Sequence, residues 1–357
     1  MTVSVPITSS SQTPLVAPSL AKSSSFSPRS VIVVDCGSGY SRAARYDLSS
    51  ETDLIRSSKA GSSIGALHAV LGCPIRSAEW ITRLVKLVEE VDPEACRVWI
   101  GATGGVRDLI ASGDITAAEV GRFREQLLTS DELPFEATLI VLEGDDEARY
   151  EFLSAEYCAD KCGLSDRDGG AEADRHLGLL SSGGMSSQIF VGGISRCLQT
   201  EIKRGNRLGL ELGMEGGMSA FHWHATEAVE QKLPENFGGE NVLYVAIEML
   251  AAVGEKAGMG GGVIVPVSDA IETLSDFIKK KTEEDLMLGE ECERTWKTYV
   301  HVMSGIVGKL ILGRLHPGSK VLFLREFQLG EDNFLKPSWP LGHAIEKLMH
   351  EAGRCNE

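Results

Sequence analysis

The sequence predicts an α/β chain built from two related lobes that face each other. Three observations predict it. The 357 residues amount to roughly two domains at ~150 residues each. Short β-branched runs alternate with segments of helical period along the chain. A buried strand followed by a Gly/Ser-rich turn occurs once in each half, first at Val31–Ser41 and again at Leu177–Ser187, as two copies of one unit would. The expected boundaries are a leader at 1–30, an N-terminal lobe at 31–165 and a C-terminal lobe at 166–357, with the final helix a candidate to return to the first lobe.

Residues 1–30 are rich in Ser, Thr and Pro, carry only Lys22 and Arg29 as charges, and contain no acid. Such a segment buries too little apolar surface to order itself. Pro6, Pro14 and Pro18 interrupt every apolar stretch a secretory signal would need, so the chain reads as cytoplasmic. A transit-like organellar leader is the alternative that this composition allows. Val31–Val34 then form a buried strand ending in Asp35 and the turn Cys36-Gly37-Ser38-Gly39. Ile81–Val91 has the spacing of an amphipathic helix, Val98–Ile100 of a short strand entering Gly101–Gly105, and the segment around Arg122 and Phe123 of another helix. Thr138–Leu142 is the next strand. It leads into Glu143–Glu147 and a helix to about Cys162, and a Gly/Asp-rich linker follows at 163–174.

In the second half, Leu177–Leu180 and Gln188–Val191 read as the two strands of a hairpin around Ser181–Ser187. Val242–Val253 is apolar enough for either strand or helix. Glu284–Leu312 is mainly helical, Lys320–Leu324 is a strand, and Gly342–Ala352 is a closing helix. His222-Trp223-His224 would put both imidazoles on one face if the segment were a strand, but no third ligand is evident and the pair reads as surface or half-buried histidines. The Gly258–Gly262 run lacks the residues of a P-loop or a dinucleotide fingerprint and reads as a connection. Lys279–Lys281 reads as a solvated helix face.

Composition narrows the function. Hydrophobic residues make up 43% and charged residues 24%, as in an ordinary globular chain, and no apolar run reaches the ~18 residues of a membrane span. With 35 Lys+Arg against 51 Asp+Glu, the net charge is -16, which opposes binding to a nucleic-acid backbone. Eight scattered cysteines without CxxC pairs read as reduced thiols rather than a zinc site or disulfide framework. Cys158 and Cys162, at i and i+4, read as half-buried helical residues.

Five short segments carry a specific resemblance. Asp35-Cys36-Gly37-Ser38-Gly39-Tyr40-Ser41-Arg42, Ala102-Thr103-Gly104-Gly105-Val106-Arg107, Gly144-Asp145-Asp146-Glu147-Ala148-Arg149-Tyr150, Gly183-Gly184-Met185-Ser186-Ser187-Gln188-Ile189 and Ser338-Trp339-Pro340-Leu341-Gly342 resemble, in order, the five signature regions of the nucleoside triphosphate diphosphohydrolases (apyrases). The Glu-Ala-Arg of the third is also similar to the related exopolyphosphatases. The resemblance spans residues 31–345. It implies the actin-like (ribonuclease H-like) fold of the actin-like ATPase superfamily, with two lobes and an active site in the central cleft.

The residue chemistry agrees with that implication. Gly/Ser turns after buried strands expose backbone N–H groups that hold phosphate oxygens without net positive charge. Gly37, Ser38, Gly39, Tyr40, Ser41 and Arg42 from one lobe, and Gly183, Gly184 and Met185 from the other, are the candidate phosphate-binding residues, joined by Arg107. Either turn alone is equally an ordinary hairpin turn, and Arg107 alone equally a structural ion pair. By resemblance, Glu147 is the general base that takes a proton from the attacking water. Ser186 and Gln188 orient that water, and Thr103 steadies the phosphoryl oxygens. Asp35 is placed to hold Mg²⁺ or Ca²⁺ through water, although a turn-capping aspartate looks the same in sequence.

The pattern departs from the family at one key place. Ser181 stands where the family carries a second metal-holding aspartate, and a neutral hydroxyl is a poorer ligand; Asp145 or Asp146 is the candidate to compensate. Met185 adds bulk where the family has alanine. The expected activity is metal-dependent removal of the terminal phosphate from nucleoside di- or triphosphates. An exopolyphosphatase, disfavoured by the acidic charge, and a nucleotide-binding relative impaired in catalysis are the alternatives.

Overall fold

A computed structural model describes residues 30–48, 54–164, 176–182, 186–198, 221–288, 292–328 and 334–354. The strands are β1 (Ser30–Cys36), β2 (Tyr40–Leu48), β3 (Leu54–Lys59), β4 (Ile64–Gly65), β5 (Arg97–Ala102), β6 (Glu136–Val141), β7 (His176–Ser182), β8 (Ser187–Val191), β9 (Ile194–Leu198), β10 (Val242–Ile247), β11 (Ile264–Pro266), β12 (Lys320–Phe323), β13 (Phe327–Gln328) and β14 (Phe334–Leu335). The helices are α1 (Pro74–Glu89), α2 (Gly104–Ser112), α3 (Ala117–Thr129), α4 (Gly144–Lys161), α5 (221–232), α6 (Glu248–Lys256), α7 (Val267–Leu288), α8 (Cys292–Leu312) and α9 (Trp339–Arg354).

Among the described residues the strands form two large sheets with one shared plan. The first runs β3-β2-β1-β5-β6 and the second β9-β8-β7-β10-β12, with β11 added at its edge. In both, the first strand opens an antiparallel hairpin, β1 with β2 and β7 with β8. In both, it also lies parallel to a strand that arrives by a helical crossover, β5 or β10. Asp35 pairs with Arg42 in the first hairpin and Ser181 with Gln188 in the second. Asp35 and Ser181 are therefore equivalent residues at the ends of equivalent strands.

The period of two along these strands separates three cores. Val31 and Val33 of β1, Leu179 of β7 and Val245 and Ile247 of β10 face the layer between the sheets. Ile32 and Val34 face the outside of the first sheet, and Val242, Tyr244 and Ala246 the outside of the second. Strands buried on both faces read as continuous apolar runs, which is why Val242–Val253 is ambiguous in sequence. It contains both elements, with β10 ending at Ile247 and α6 beginning at Glu248.

The middle layer is formed by α4 and α9. Helix α4 packs on β7, β8 and β9, α9 packs on β1 and β2, and the two helices pack on each other. Arg149 pairs with Glu346 at 2.7 Å and Tyr150 donates to the same carboxylate at 2.9 Å. Gly342 lets α9 cross close to the α4 backbone, because a Cβ there would collide with the Tyr150 carbonyl. His343, buried between Trp99 and Tyr150 rings, is held neutral, its value pushed down to about 4 chiefly by burial.

Helix ends follow local chemistry. Helix α3 starts with a capping box of Thr116 and Glu119, and α2 stops at Gly113 with φ +78°. One conditional reading is resolved. His222-Trp223-His224 lies on helix α5, where residues two apart diverge around the axis, so the imidazoles do not pair on one face. Tyr244 is fully buried and donates a hydrogen bond to the Phe237 carbonyl. The Gly258–Gly262 connection does turn through left-handed backbone at Gly258, Gly261 and Gly262. Residues 165–174 of the expected linker lie outside the described residues.

Replacing Gly342 with Ala is expected to lower stability by about 3 kcal/mol, at the upper end of overpacking penalties, because the obstacle is backbone. Gly121→Ala on α3 serves as control. A Cβ there meets nothing within 4 Å, and helix propensity favours it by about 0.5–1 kcal/mol. Urea unfolding of both variants measures the difference.

Candidate active site

The carboxyl ends of β1 and β7 open into one cleft of about 330 Å³. Its first wall is the turn after β1, where Gly37 N–H bonds the Tyr40 carbonyl at 3.1 Å and exposes Ser38 and Gly39 at the tip. Beside it is the start of α2. The Thr103 hydroxyl does not cap that helix but bonds back to the Cys36 carbonyl at 3.4 Å. The N-terminus of α2 thus borders the cleft without a cap from the Thr103 side chain, and a helix N-terminus is the usual seat for an anionic oxygen. Gly105 must be glycine for this wall to close, since a Cβ would come within 2.9 Å of His68 Nδ1 and 3.2 Å of Ser38 Cα.

The opposite wall and floor come from the second sheet and the middle layer. Helix α4 places Glu147 and Glu151, four residues apart, on one face toward the cleft. Both are buried, at 7% and 4% exposure. Arg107 Nη2 donates to Glu147 Oε2 at 2.8 Å, and Nη1 anchors the guanidinium on the Leu142 carbonyl at 2.6 Å. Gln188 donates to Ser186 Oγ at 2.9 Å and stands near enough to Glu147 to favour its ionised form, so the three residues share one wall of the cleft. Ser181 stands near enough to Glu151 to favour its ionised form. From α6, Glu248 enters with a left-handed φ of +56° and pairs with Lys336 at 2.8 Å. A non-glycine residue in that region is strained, of order 1–3 kcal/mol. Trp339 of α9 donates from Nε1 to Asp35 Oδ1 at 2.8 Å. Its ring lies against Gly101, where any Cβ would overlap it.

Among the described residues, Asp35, Glu147, Glu151 and Glu248 line this cleft against Arg42 and Lys336. The resulting electrostatics resist ionisation. Burial pushes Asp35 up to about 7, the Trp339 hydrogen bond works against it, and Glu248 and Glu147 add repulsion. Asp35 keeps part of its surface open to cleft water, which limits the effect. Burial also raises Glu147, and Arg107 opposes it. Glu151 is raised well above the ordinary glutamate value by burial, then by Glu147 and Glu248.

Of the residues marked in the sequence, Asp35, Gly37, Ser38, Gly39, Tyr40, Arg42, Thr103, Glu147, Ser181, Ser186 and Gln188 line the cleft together. Tyr40 remains 45% exposed with the Arg42 guanidinium 4.0 Å above its ring. Ser41 is fully buried and points to the Gly65 carbonyl, away from the cleft. Arg107 stands behind Glu147 as its buried ion-pair partner. Gly183, Gly184 and Met185 lie outside the described residues. Asp145 and Asp146 are exposed at the start of α4; Asp145 faces a separate hollow with Arg107 and Arg196. Neither lines the cleft. Glu151, Glu248 and Lys336 are the residues that sequence reasoning missed. The i, i+4 relation to Glu147 was a readable signal for Glu151 alone.

No family model matches the sequence, and no curated protein does. Solved structures do match. A Ppx/GppA family member from Aquifex aeolicus superposes with TM-score 0.57 at 14% identity, over 90% of this chain and 98% of that one. A nucleoside triphosphate hydrolase from Neospora caninum gives TM-score 0.56 at 11% identity, over 91% and 93%. An exopolyphosphatase from Cytophaga hutchinsonii gives 0.51 at 12%, over 89% and 97%. The chain has the actin-like fold. Identity this low speaks to the fold alone, and the actin-like architecture accounts for the doubled sheet plan and for a cleft at the strand ends.

The donor set of this actin-like cleft consists of carboxylates and hydroxyls, hard oxygens that suit Mg²⁺ or Ca²⁺ and not thiophilic metals. Glu151 Oε2 is buried without a hydrogen-bond partner among the described residues, an atom that a cation would satisfy. Among the described residues no three acidic, His or Cys side chains converge closely enough to hold an ion by themselves. Such a site suits an ion that keeps waters or takes phosphate oxygens. Among the described residues no helix is long and apolar enough to cross a membrane.

A carboxyl raised on folding keeps its proton where the unfolded chain has lost it. The native state then binds more protons between the ordinary value of 3.8 and about 7, and stability falls as pH rises through that window. With chelator present, the urea midpoint is expected to decline from pH 5 to pH 8. Asp35→Asn should flatten part of that slope; an unchanged slope would show that Asp35 titrates normally.

Proposed function

We propose that the protein removes the terminal phosphate of nucleoside tri- or diphosphates by attack of water, assisted by Mg²⁺ or Ca²⁺. The observation that carries this reading is the buried Glu147 carboxylate, which lines one cleft with the N-terminus of α2. A base and an anion seat thereby share one cleft. The matched fold of solved exopolyphosphatases and a nucleoside triphosphate hydrolase supports hydrolysis of a phosphoanhydride.

In the proposed reaction the phosphoryl oxygens rest on the first turn of α2, Thr103, and the Ser38–Gly39 tip. Gln188 and Ser186 orient a water, and Glu147 accepts its proton as the new P–O bond forms and the anhydride bond to the leaving phosphate breaks. Oε2 of Glu147 is engaged by Arg107, so the ion pair fixes the carboxylate while its remaining lone pairs serve the water. Gly183, Gly184 and Met185 complete the second phosphate loop in this scheme. A divalent cation bound at Asp35 would neutralise charge on the phosphates. The lobes 31–165 and 166–357 would supply one loop each.

Nucleotide is preferred to polyphosphate because, among the described residues, the cleft offers two cations against four carboxylates. A long polyanion needs a basic track. An aromatic rim at Tyr40, half exposed, is available to a base.

Phosphate release from ATP, ADP, GDP and polyphosphate, with each metal, tests the reading. Glu147→Gln is expected to lower kcat by about 10²–10⁴-fold, the usual contribution of a general base, with nucleotide binding retained. Release from polyphosphate alone would transfer the reading to an exopolyphosphatase. Absence of release despite nucleotide binding would make the chain a binding protein.

The pH profile provides a second test. Glu147 works ionised, and its raised value sets an acid limb of kcat/KM above the ordinary 4.5. Arg107 lowers that value, so Arg107→Met should move the limb to higher pH and cost about tenfold or more at pH 6, equivalent to at least one pH unit.

A further inference from the structure

Asp35 and Ser181 occupy equivalent places at the ends of β1 and β7, yet only one of them is an acid. Two carboxylates facing each other across the cleft, one per lobe, would be the symmetric arrangement. The second lobe instead carries a hydroxyl, which lines the same cleft as Glu151 and favours its ionised form. Glu151 arrives from α4, which packs directly on β7. It is 4% exposed, it lines the cleft, and its Oε2 has no hydrogen-bond partner among the described residues.

A buried carboxylate oxygen without a partner is costly to maintain. The burden is greater beside three other acids, of which Glu147 is paired to Arg107 and Glu248 to Lys336. Asp35 has only the indole N–H of Trp339. Among the described residues, Glu151 and Asp35 thus form no ion pair with a basic side chain, while the other two acids are neutralised by Arg107 and Lys336.

We infer that Glu151 supplies the second cation-holding carboxylate of this cleft, delivered by helix α4 to the place where β7 carries Ser181, and that it binds a hard divalent cation jointly with Asp35. The inference rests on the proposed metal-assisted phosphate chemistry, and it names the residue on which the cation depends. Ser181 then acts as a positioning residue, holding one oxygen of Glu151 so that the other faces the cleft. One or two carboxylates, with water and phosphate oxygens completing the shell, are the usual complement for Mg²⁺. This agrees with the lack of a three-residue cluster among the described residues.

The test is equilibrium binding of Mn²⁺ to the full-length protein without nucleotide, read by electron spin resonance and calorimetry and competed with Mg²⁺ and Ca²⁺. Glu151→Gln conserves shape and removes a buried charge. It is expected to weaken Mn²⁺ at least tenfold. Moving the acid back, in the double variant Glu151→Gln with Ser181→Asp, should recover affinity to within about threefold of the parent. Ser181→Asp alone should not tighten binding, because it sets a second acid directly against Glu151. Unchanged Mn²⁺ affinity in Glu151→Gln, or no recovery in the double variant, overturns the inference. Because no turnover is involved, the two readings separate. A protein that hydrolyses no nucleotide yet shows this loss and recovery would sink the hydrolase and keep the cation site. A hydrolase dependent on Glu147 whose Glu151→Gln variant binds Mn²⁺ normally would do the reverse.

Discussion

The close crossing of α4 and α9 between the two sheets is the constraint on which the site depends. Gly342 against the Tyr150 carbonyl sets the separation, and the contacts of Arg149 and Tyr150 with Glu346 hold it. From that layer α4 projects Glu147 and Glu151, while α9 projects Trp339 onto Asp35. Ser338 N–H bonds Ser154 of α4 at 2.9 Å, tying the start of α9 to the same helix. A shift of either helix would move a base, a candidate cation-holding acid and the hydrogen bond to Asp35 together.

This arrangement answers how an acidic chain can offer a seat for phosphate. In the proposed function the anion seat is neutral backbone at the start of α2 and the turn after β1, so it does not rely on net charge. The acids sit on the other side and, being buried, resist ionisation until something positive arrives. Arg107 and Lys336 supply fixed positive charge to Glu147 and Glu248. For the other two acids, a cation brought with the phosphates would relieve repulsion and bridge the two halves of the site at once. Energy stored as unfavourable carboxylate burial, and as left-handed backbone at Glu248, is consistent with a cleft organised around a ligand.

Much of the fold was legible in local pattern. The β1 and β7 hairpins, the strands β5, β6 and β12, and helices α1, α3, α4 and α9 all follow from period-two or period-3.6 apolar spacing with glycine or capping residues at their ends. Val242–Val253 was not resolvable, because a strand buried on both faces has no alternation to read. His222–His224 depended on element type, and the helix separated what a strand would have joined. In the site, the turns and Glu147 carried sequence signals. Glu248 and Lys336 did not, since a single acid at a strand-to-helix junction and a lone lysine in a loop resemble any solvated charge.

The sequence by itself determined the doubled α/β plan, the Gly/Ser turns, and a base candidate four residues from a second acid on one helix. Those are properties of neighbours along the chain, where spacing decides direction. Tertiary structure alone decided that Arg107 backs Glu147 rather than facing the cleft, that Ser41 turns into the core, and that Asp145 and Asp146 stay outside. It also decided that Glu151 meets Ser181. These outcomes depend on how helices cross between sheets, through contacts among residues up to hundreds of positions apart that no local pattern encodes.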